Sequence, residues 1–185
     1  MIRKKLSPDQ IITLNDYPLH SEQVLKLYHR MFWQGADGLV PPCPVVHKSS
    51  GSLFIRGRGK KIEEYNKLLA KFFQSHPKAE YFIVDGSHKT TAAALCGKRI
   101  TVMVFQSATD IQEARRLVKK GKIFSLTAGG NSIPEVVRTL RQHFFKTRRF
   151  ETVAEKTTRL VKEKKVPRYM IGVYKKSSPV FDKPA

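Results

Sequence analysis

The sequence predicts an α/β (α+β) fold: a small mixed sheet with packed helices, followed by a basic helical C-terminal part. Three observations predict it. Short apolar stretches of β type alternate with segments whose apolar residues recur every three to four positions. One of these stretches, YFIV at 81–84, turns directly into an alanine-rich helix and is followed by a further strand. Beyond residue 110 the chain reads as successive helical segments.

In chain order, QIITLNDY at 10–17 reads as the first strand. A Pro-Leu-His-Ser-Glu turn follows, in which Ser21 can cap a helix. That helix carries Val24, Leu25, Leu27, Tyr28, Met31 and Phe32 at 3.6-residue spacing and ends at Gly35. A short strand is expected at 43–47. The loop KSSGSLFIRGRGKK at 48–61 then surrounds Leu53, Phe54 and Ile55 with Gly, Ser and basic residues, and reads as mobile and cationic. Ile62, Tyr65, Leu68, Leu69, Phe72 and Phe73 mark a helix over 62–75. The alanine-rich helix spans 88–95 with Gly97 as its C-terminal cap, and RITVMVF at 99–105 is apolar enough for a strand buried on both faces. Helices are expected at 110–121, from Ser132 with Pro134 in the first turn, and at 150–164. The tail from Lys175 is expected to be loose.

The chain has 185 residues, room for one ordinary core and a helical appendage. It contains no run of about 18 apolar residues and no apolar leader near its start, so a cytoplasmic protein without a membrane partner is expected. Cys43 and Cys96 stand in no metal-binding or redox spacing and read as ordinary buried thiols. Trp33 and most phenylalanines follow core spacing. Phe54, between arginines, is the exception and could stack on a base.

Charge bears more directly on function. The formal net charge is +20, from 35 Lys and Arg against 15 Asp and Glu. A balance so far from zero favours anionic partners, either nucleic acid or small anionic substrates, and does not choose between them. From Arg138 to Arg168 eleven Lys and Arg stand against three Glu. Such a run is either a solvated face or a footprint for phosphates.

The most specific chemistry lies in DGSHKTT at 85–91. A strand that becomes a helix within a few residues leaves the first helical N–H groups open at the sheet edge, backed by the helix dipole, which suits an anion. Gly86 lets the backbone approach a phosphate, and Ser87, Thr90 and Thr91 offer hydroxyls. His88 and Lys89 offer a directed hydrogen bond and a charge, while Asp85 could orient a hydroxyl, hold a cation or tie the turn. A plain strand-to-helix turn fits the same residues.

YFIVDGSHKTTAAALCGKRITVMVF resembles the core of the ParB/sulfiredoxin superfamily, in which a strand ends in a Gly-x-His/Arg turn before an Ala-rich helix and a second strand. IITLNDYPLH and GLVPPCPVV resemble that superfamily's earlier strands. The resemblance covers about residues 10–105, with an insertion at 48–80 longer than the usual hairpin. It implies a nucleotide-binding domain over 10–107, a basic helical region over 108–174 and a loose tail over 175–185.

Three branches of the superfamily bear on activity. Sulfiredoxins carry a reactive cysteine where this chain has Ser87, which removes that chemistry. ParB proteins follow the second strand with an Asn-x-x-Arg segment for CTP, and the residues after Phe105 lack it. Free serine kinases carry an Asp-Gly-x-His-Arg turn and a glutamate at the start of the first helix. Here these are similar to Asp85-Gly86-Ser87-His88-Lys89 and to HSEQ at 20–23, which contains Glu22. KKGKIFS at 119–125 is similar to a further kinase element, but LTAGGN stands where Thr-Thr-Arg would follow, and the chain's own KTTR lies at 156–159.

The kinase resemblance implies Glu22 as the base for a substrate hydroxyl and Asp85 as a positioning group or magnesium ligand. Gly86, Ser87, His88, Lys89, Thr90 and Thr91 would hold the phosphates of ATP or ADP, rather than CTP, with Mg2+, for transfer to a small hydroxylated metabolite. Lys89 keeps the charge of the family's arginine without its two-pronged geometry. The alternative is a ParB-like DNA-binding or nuclease protein in which Arg56, Arg58, Arg138, Arg141, Arg148, Arg149 and Arg159 meet DNA.

Overall fold

A computed structural model describes residues 2–14, 21–120 and 130–177. Its strands are β1 (Ile2–Leu6), β2 (Ile11–Ile12), β3 (Cys43–His47), β4 (Tyr81–Ile83) and β5 (Ile100–Phe105). The helices are α1 (Glu22–Trp33), α2 (Lys60–Ser75), α3 (Ser87–Leu95), α4 (Ala108–Lys119), α5 (Ile133–Thr147), α6 (Val153–Lys162) and α7 (Arg168–Ser177). The mixed α/β class expected from the sequence is the class observed.

The strands form one mixed sheet in the order β1-β5-β3-β4-β2. Pairing is antiparallel for β1 with β5 and for β3 with β4, and parallel for β3 with β5 and for β2 with β4. Successive side chains of a strand point to opposite faces, and here both faces are covered. Ile11, Val45, Ile83, Val102 and Val104 join one core with α1, α3, α6 and α7. Ile12, Val46, Phe82, Met103 and Phe105 join the other with α2, α4 and α5. The sheet is therefore the middle of three layers, and the basic C-terminal helices supply side chains to both cores.

α3 sits deepest. From Thr90 to Leu95 all of its residues are buried, and it packs on α1, α6 and α7. Alanines at 92–94 keep its girth small enough for that position. It ends as expected at Gly97 (φ +63), where Gly97 N–H donates to Ala94 O and Lys98 N–H to Ala93 O, the paired bonds of a Schellman cap. α1 starts where Ser21 was expected to cap it, the Ser21 hydroxyl accepting from Val24 N–H.

Several elements differ from expectation. β1 was not anticipated, because IRKKL exposes four of its five residues and shows no apolar alternation; its backbone pairing with β5 makes it an edge strand. Of the first predicted strand, 10–17, Ile11–Ile12 is the part that is strand among the described residues, and residues 15–20 lie outside them. α7 was not anticipated either, and Lys175 to Ser177, expected in the loose tail, belong to it. The loop at 48–61 is pinned rather than mobile. Leu53 is buried and its carbonyl accepts from the Tyr65 hydroxyl, while Asn66 makes paired bonds to the backbone of Ile55 (3.0 and 2.9 Å).

Candidate functional site

Strand β4 ends at Ile83 and helix α3 begins at Ser87, so three residues make the turn. Gly86 makes it possible. Its φ of +107° is in the region that favours glycine, and a Cβ there would lie 2.9 Å from Cys43 Sγ and 3.1 Å from Lys89 Cε. Gly86→Ala is expected to destabilise the fold by about 1–3 kcal/mol through backbone strain and this overlap. Adding Cys43→Ala should recover only the steric part. Equal melting temperatures for wild type and Gly86→Ala would show that the turn does not need glycine.

The N-cap residue of α3 is Gly86, which has no side chain with which to cap the helix. A cavity of about 300 Å³ lies beside this helix start, lined by Asp85, Gly86, His88 and Lys89 from the turn and by Val24, Leu27 and Tyr28 from α1. The helix end thus brings backbone N–H groups, a carboxylate, an imidazole and an amine to one recess. Lys89 is only 7% exposed, and its Nζ donates to Pro41 O at 3.3 Å. His88 Nε2 accepts from Ser21 N–H (3.2 Å), which ties the start of α1 to the start of α3. Burial pushes the Tyr28 phenol up to about 12, with Cys43 and Asp85 adding to the shift, so it stays a neutral hydroxyl.

The predicted site residues separate into those at the recess and those elsewhere. Asp85, Gly86, His88 and Lys89 line it. Ser87 belongs to the same first turn and is buried. Thr90 turns its hydroxyl back to Gly86 O and Ser87 O, and Thr91 is buried. Glu22 does not line the recess; it pairs with Lys26 one turn along α1, on an exposed face. The Leu-Thr-Ala-Gly segment at 126–129 lies outside the described residues. KTTR at 156–159 serves α6: Thr157 donates to Val153 O, Thr158 meets the Tyr174 hydroxyl, and Arg159 grips Glu151 with two bonds of 2.9 Å.

The seven arginines expected to meet DNA are also divided. Arg56, Arg58 and Arg138 are exposed. Arg148 donates to Lys61 O and covers the rings of Phe145 and Tyr65. Arg149 and Arg159 both bind Glu151, and Arg141 has a buried Nε without a hydrogen-bond partner among the described residues. Phe54 is partly exposed in its pinned loop.

Residue patterns did not point to Tyr28 as a wall of the recess, or to Cys43 and the Pro41 carbonyl as neighbours of Gly86 and Lys89. Strand alternation carried a signal for Cys43, since Cys43 and Val45 share the face on which α3 packs. Both cysteines are free and buried, as expected. Burial raises the Cys43 thiol against the opposing effect of Lys89, and burial pushes Cys96 to about 11, so neither is a ready thiolate. Among the described residues no group of three or more His, Cys, Asp or Glu could hold a metal. A divalent cation at Asp85 would need oxygens from a ligand.

On the other side of α1, His29 is 3% exposed and its Nε2 has no hydrogen-bond partner among the described residues. Burial holds its imidazole below the usual value of 6.5. As pH falls below that value the unfolded chain takes up a proton that the folded chain resists, so stability falls. The melting temperature of wild type is expected to drop more steeply between about pH 7 and 5 than that of His29→Phe. Parallel slopes would show that His29 takes no part.

No helix among the described residues is long and apolar enough to cross a membrane. Compared with family models, with curated proteins and with solved structures, the chain matches none.

Proposed function

We propose that the protein binds a nucleotide by its phosphates at the start of α3 and transfers a phosphoryl group to a small hydroxylated metabolite. The observation that carries this reading is the N-terminus of α3, whose N-cap residue is a glycine, opening beside a recess that also holds Lys89 and Asp85. The N–H groups of the first helical turn and the Lys89 amine are donors suited to phosphate oxygens. The recess, at about 300 Å³, has the size of a small-ligand site, and Val24, Leu27 and Tyr28 give it one apolar wall. The resemblance of DGSHK to the turn of the free serine kinases points the same way.

In transfer, the metabolite's hydroxyl oxygen forms a bond to phosphorus and the bridging oxygen leaves with its electron pair on the nucleotide. The hydroxyl proton must go to a base. Asp85 lines the recess and is suited to orient the hydroxyl. Glu22, the base that the resemblance implies, reaches the recess only by giving up its pair with Lys26. A magnesium ion arriving with the nucleotide would neutralise phosphate charge, with Asp85 as its protein carboxylate.

The test has two stages. ATP, ADP and CTP are screened by thermal shift with and without magnesium, and nucleotide turnover is then measured against a panel of small alcohols and hydroxy amino acids. A shift with ATP or ADP, followed by acceptor-dependent release of ADP or AMP, is the expected result. No shift with any nucleotide would sink the proposal. Glu22→Gln with full turnover would remove Glu22 as base and leave Asp85.

A further inference from the structure

Trp33 was expected in the core, yet it is 62% exposed, and Tyr169 on α7 is 54% exposed. Both line a groove of about 520 Å³ between α1 and α7, together with Leu27, Lys26 and Arg30. On the other side of α7 a second groove, of about 820 Å³, is lined by Lys162, Lys164, Arg168 and Lys175 over an apolar floor that includes Val161 and Ile171. Among the described residues no acidic side chain lines either groove. Glu22 and Glu163, the neighbouring acids in sequence, are engaged with Lys26 and Arg159. Arg30, Lys162, Lys164, Arg168 and Lys175 make no ion pair among the described residues. α7 is the ridge between the grooves, and it is lowest at Gly172, where an added Cβ would meet nothing within 4 Å.

We propose that the two grooves flanking α7 form one surface for single-stranded nucleic acid, with bases on Trp33 and Tyr169 and phosphates on the cations beyond Gly172. Uncompensated cations in a row suit a polyanion. Exposed aromatics beside them suit unpaired bases, whose faces are free to stack; a duplex keeps its bases stacked on each other and has no use for the two rings. A bilayer also attracts cations and aromatics, but a flat surface does not reach rings that line a concave groove. The first groove borders the recess at α3, Leu27 lining both, but the surface uses other cations and aromatics and does not rest on the nucleotide reading.

Trp33 is the chain's only tryptophan, so its emission reports on the first groove. The full chain is titrated at low salt with a 12-residue oligothymidylate, and in parallel with a 12-base-pair duplex, ATP, and phosphatidylcholine vesicles containing phosphatidylserine. Saturable quenching by the oligothymidylate is expected, tighter than any response to the other three. Tyr169→Ala should weaken binding roughly tenfold. Lys162→Ala with Lys164→Ala should make the slope of log K against log salt shallower by about 1.4, while keeping the quench at saturation. These side chains are exposed, so melting temperatures should stay near wild type and separate lost binding from lost folding. Absence of quenching overturns the proposal. So does equal affinity for the duplex, an ATP response of equal strength that Tyr169→Ala removes, which would make the groove a mononucleotide site, or stronger binding to vesicles.

Discussion

Lys89→Met is expected to reduce sharply the rise in melting temperature that ATP or ADP produces, while leaving the ligand-free protein as stable as wild type or more so. Lys89 is buried, and among the described residues its amine has one acceptor, the Pro41 carbonyl, for three N–H donors. In the free protein that arrangement contributes little, because a buried charge held by one long bond is scarcely compensated for its lost hydration. With a phosphate in the recess the same charge gains an anionic partner in a site walled by Val24, Leu27 and Tyr28. A charge-assisted hydrogen bond of this kind contributes about 1.5–3 kcal/mol, so affinity should fall roughly 10- to 150-fold. Methionine preserves the unbranched stem that packs beside Gly86 and Cys43, and removes only the donor. An unchanged shift in Lys89→Met would mean that nucleotide phosphates do not sit at α3.

Phe144→Ala is expected to have the largest effect on stability, about 3–5 kcal/mol, and to lower the melting temperature by on the order of 10 °C. Phe144 is fully buried on α5, stacked on Phe150 at 4.9 Å between ring centres and tilted against Phe82 of the sheet at 5.7 Å. α5 lies in the part of the chain that the sequence presents as a basic appendage. Its inner face, with Val136, Val137 and Leu140, nevertheless closes one of the two cores. A loss below about 1 kcal/mol would show that α5 docks loosely and that the sheet holds without it. A loss in the expected range makes the C-terminal helices part of the fold's stability, whatever they also bind.

The legible parts of the fold were those where local signals agree. Ser21 as cap, 3.6-residue spacing along α1 and α2, Gly97 as stop and the continuous apolar run of β5 each follow from backbone hydrogen bonding and side-chain period. β1 escaped because an edge strand is held by main-chain bonds to β5, and nothing in IRKKL alternates. Trp33 was misjudged for a related reason. Helical spacing says which residues share a face, but α1 turns Leu25, Tyr28 and Phe32 to the core and leaves Leu27 and Trp33 outside. The loop at 48–61 looked mobile from its glycines and serines, yet Tyr65 and Asn66, on the helix that follows it, tie down Leu53 and Ile55.

For the recess, DGSHK alone announced a tight turn, a glycine with positive φ and an open helix end, because these depend on a few consecutive residues. The sequence could not say that Cys43 would wall Gly86, that Pro41 would take the Lys89 amine, or that Tyr28 would line the recess with Asp85. Those outcomes depend on how α1, β3 and α3 meet on one face of the sheet, whereas the pairing of Glu22 with Lys26 is an i, i+4 contact within α1. Local chemistry is written in neighbouring residues, whereas the company a side chain keeps is set by packing between segments far apart in the chain.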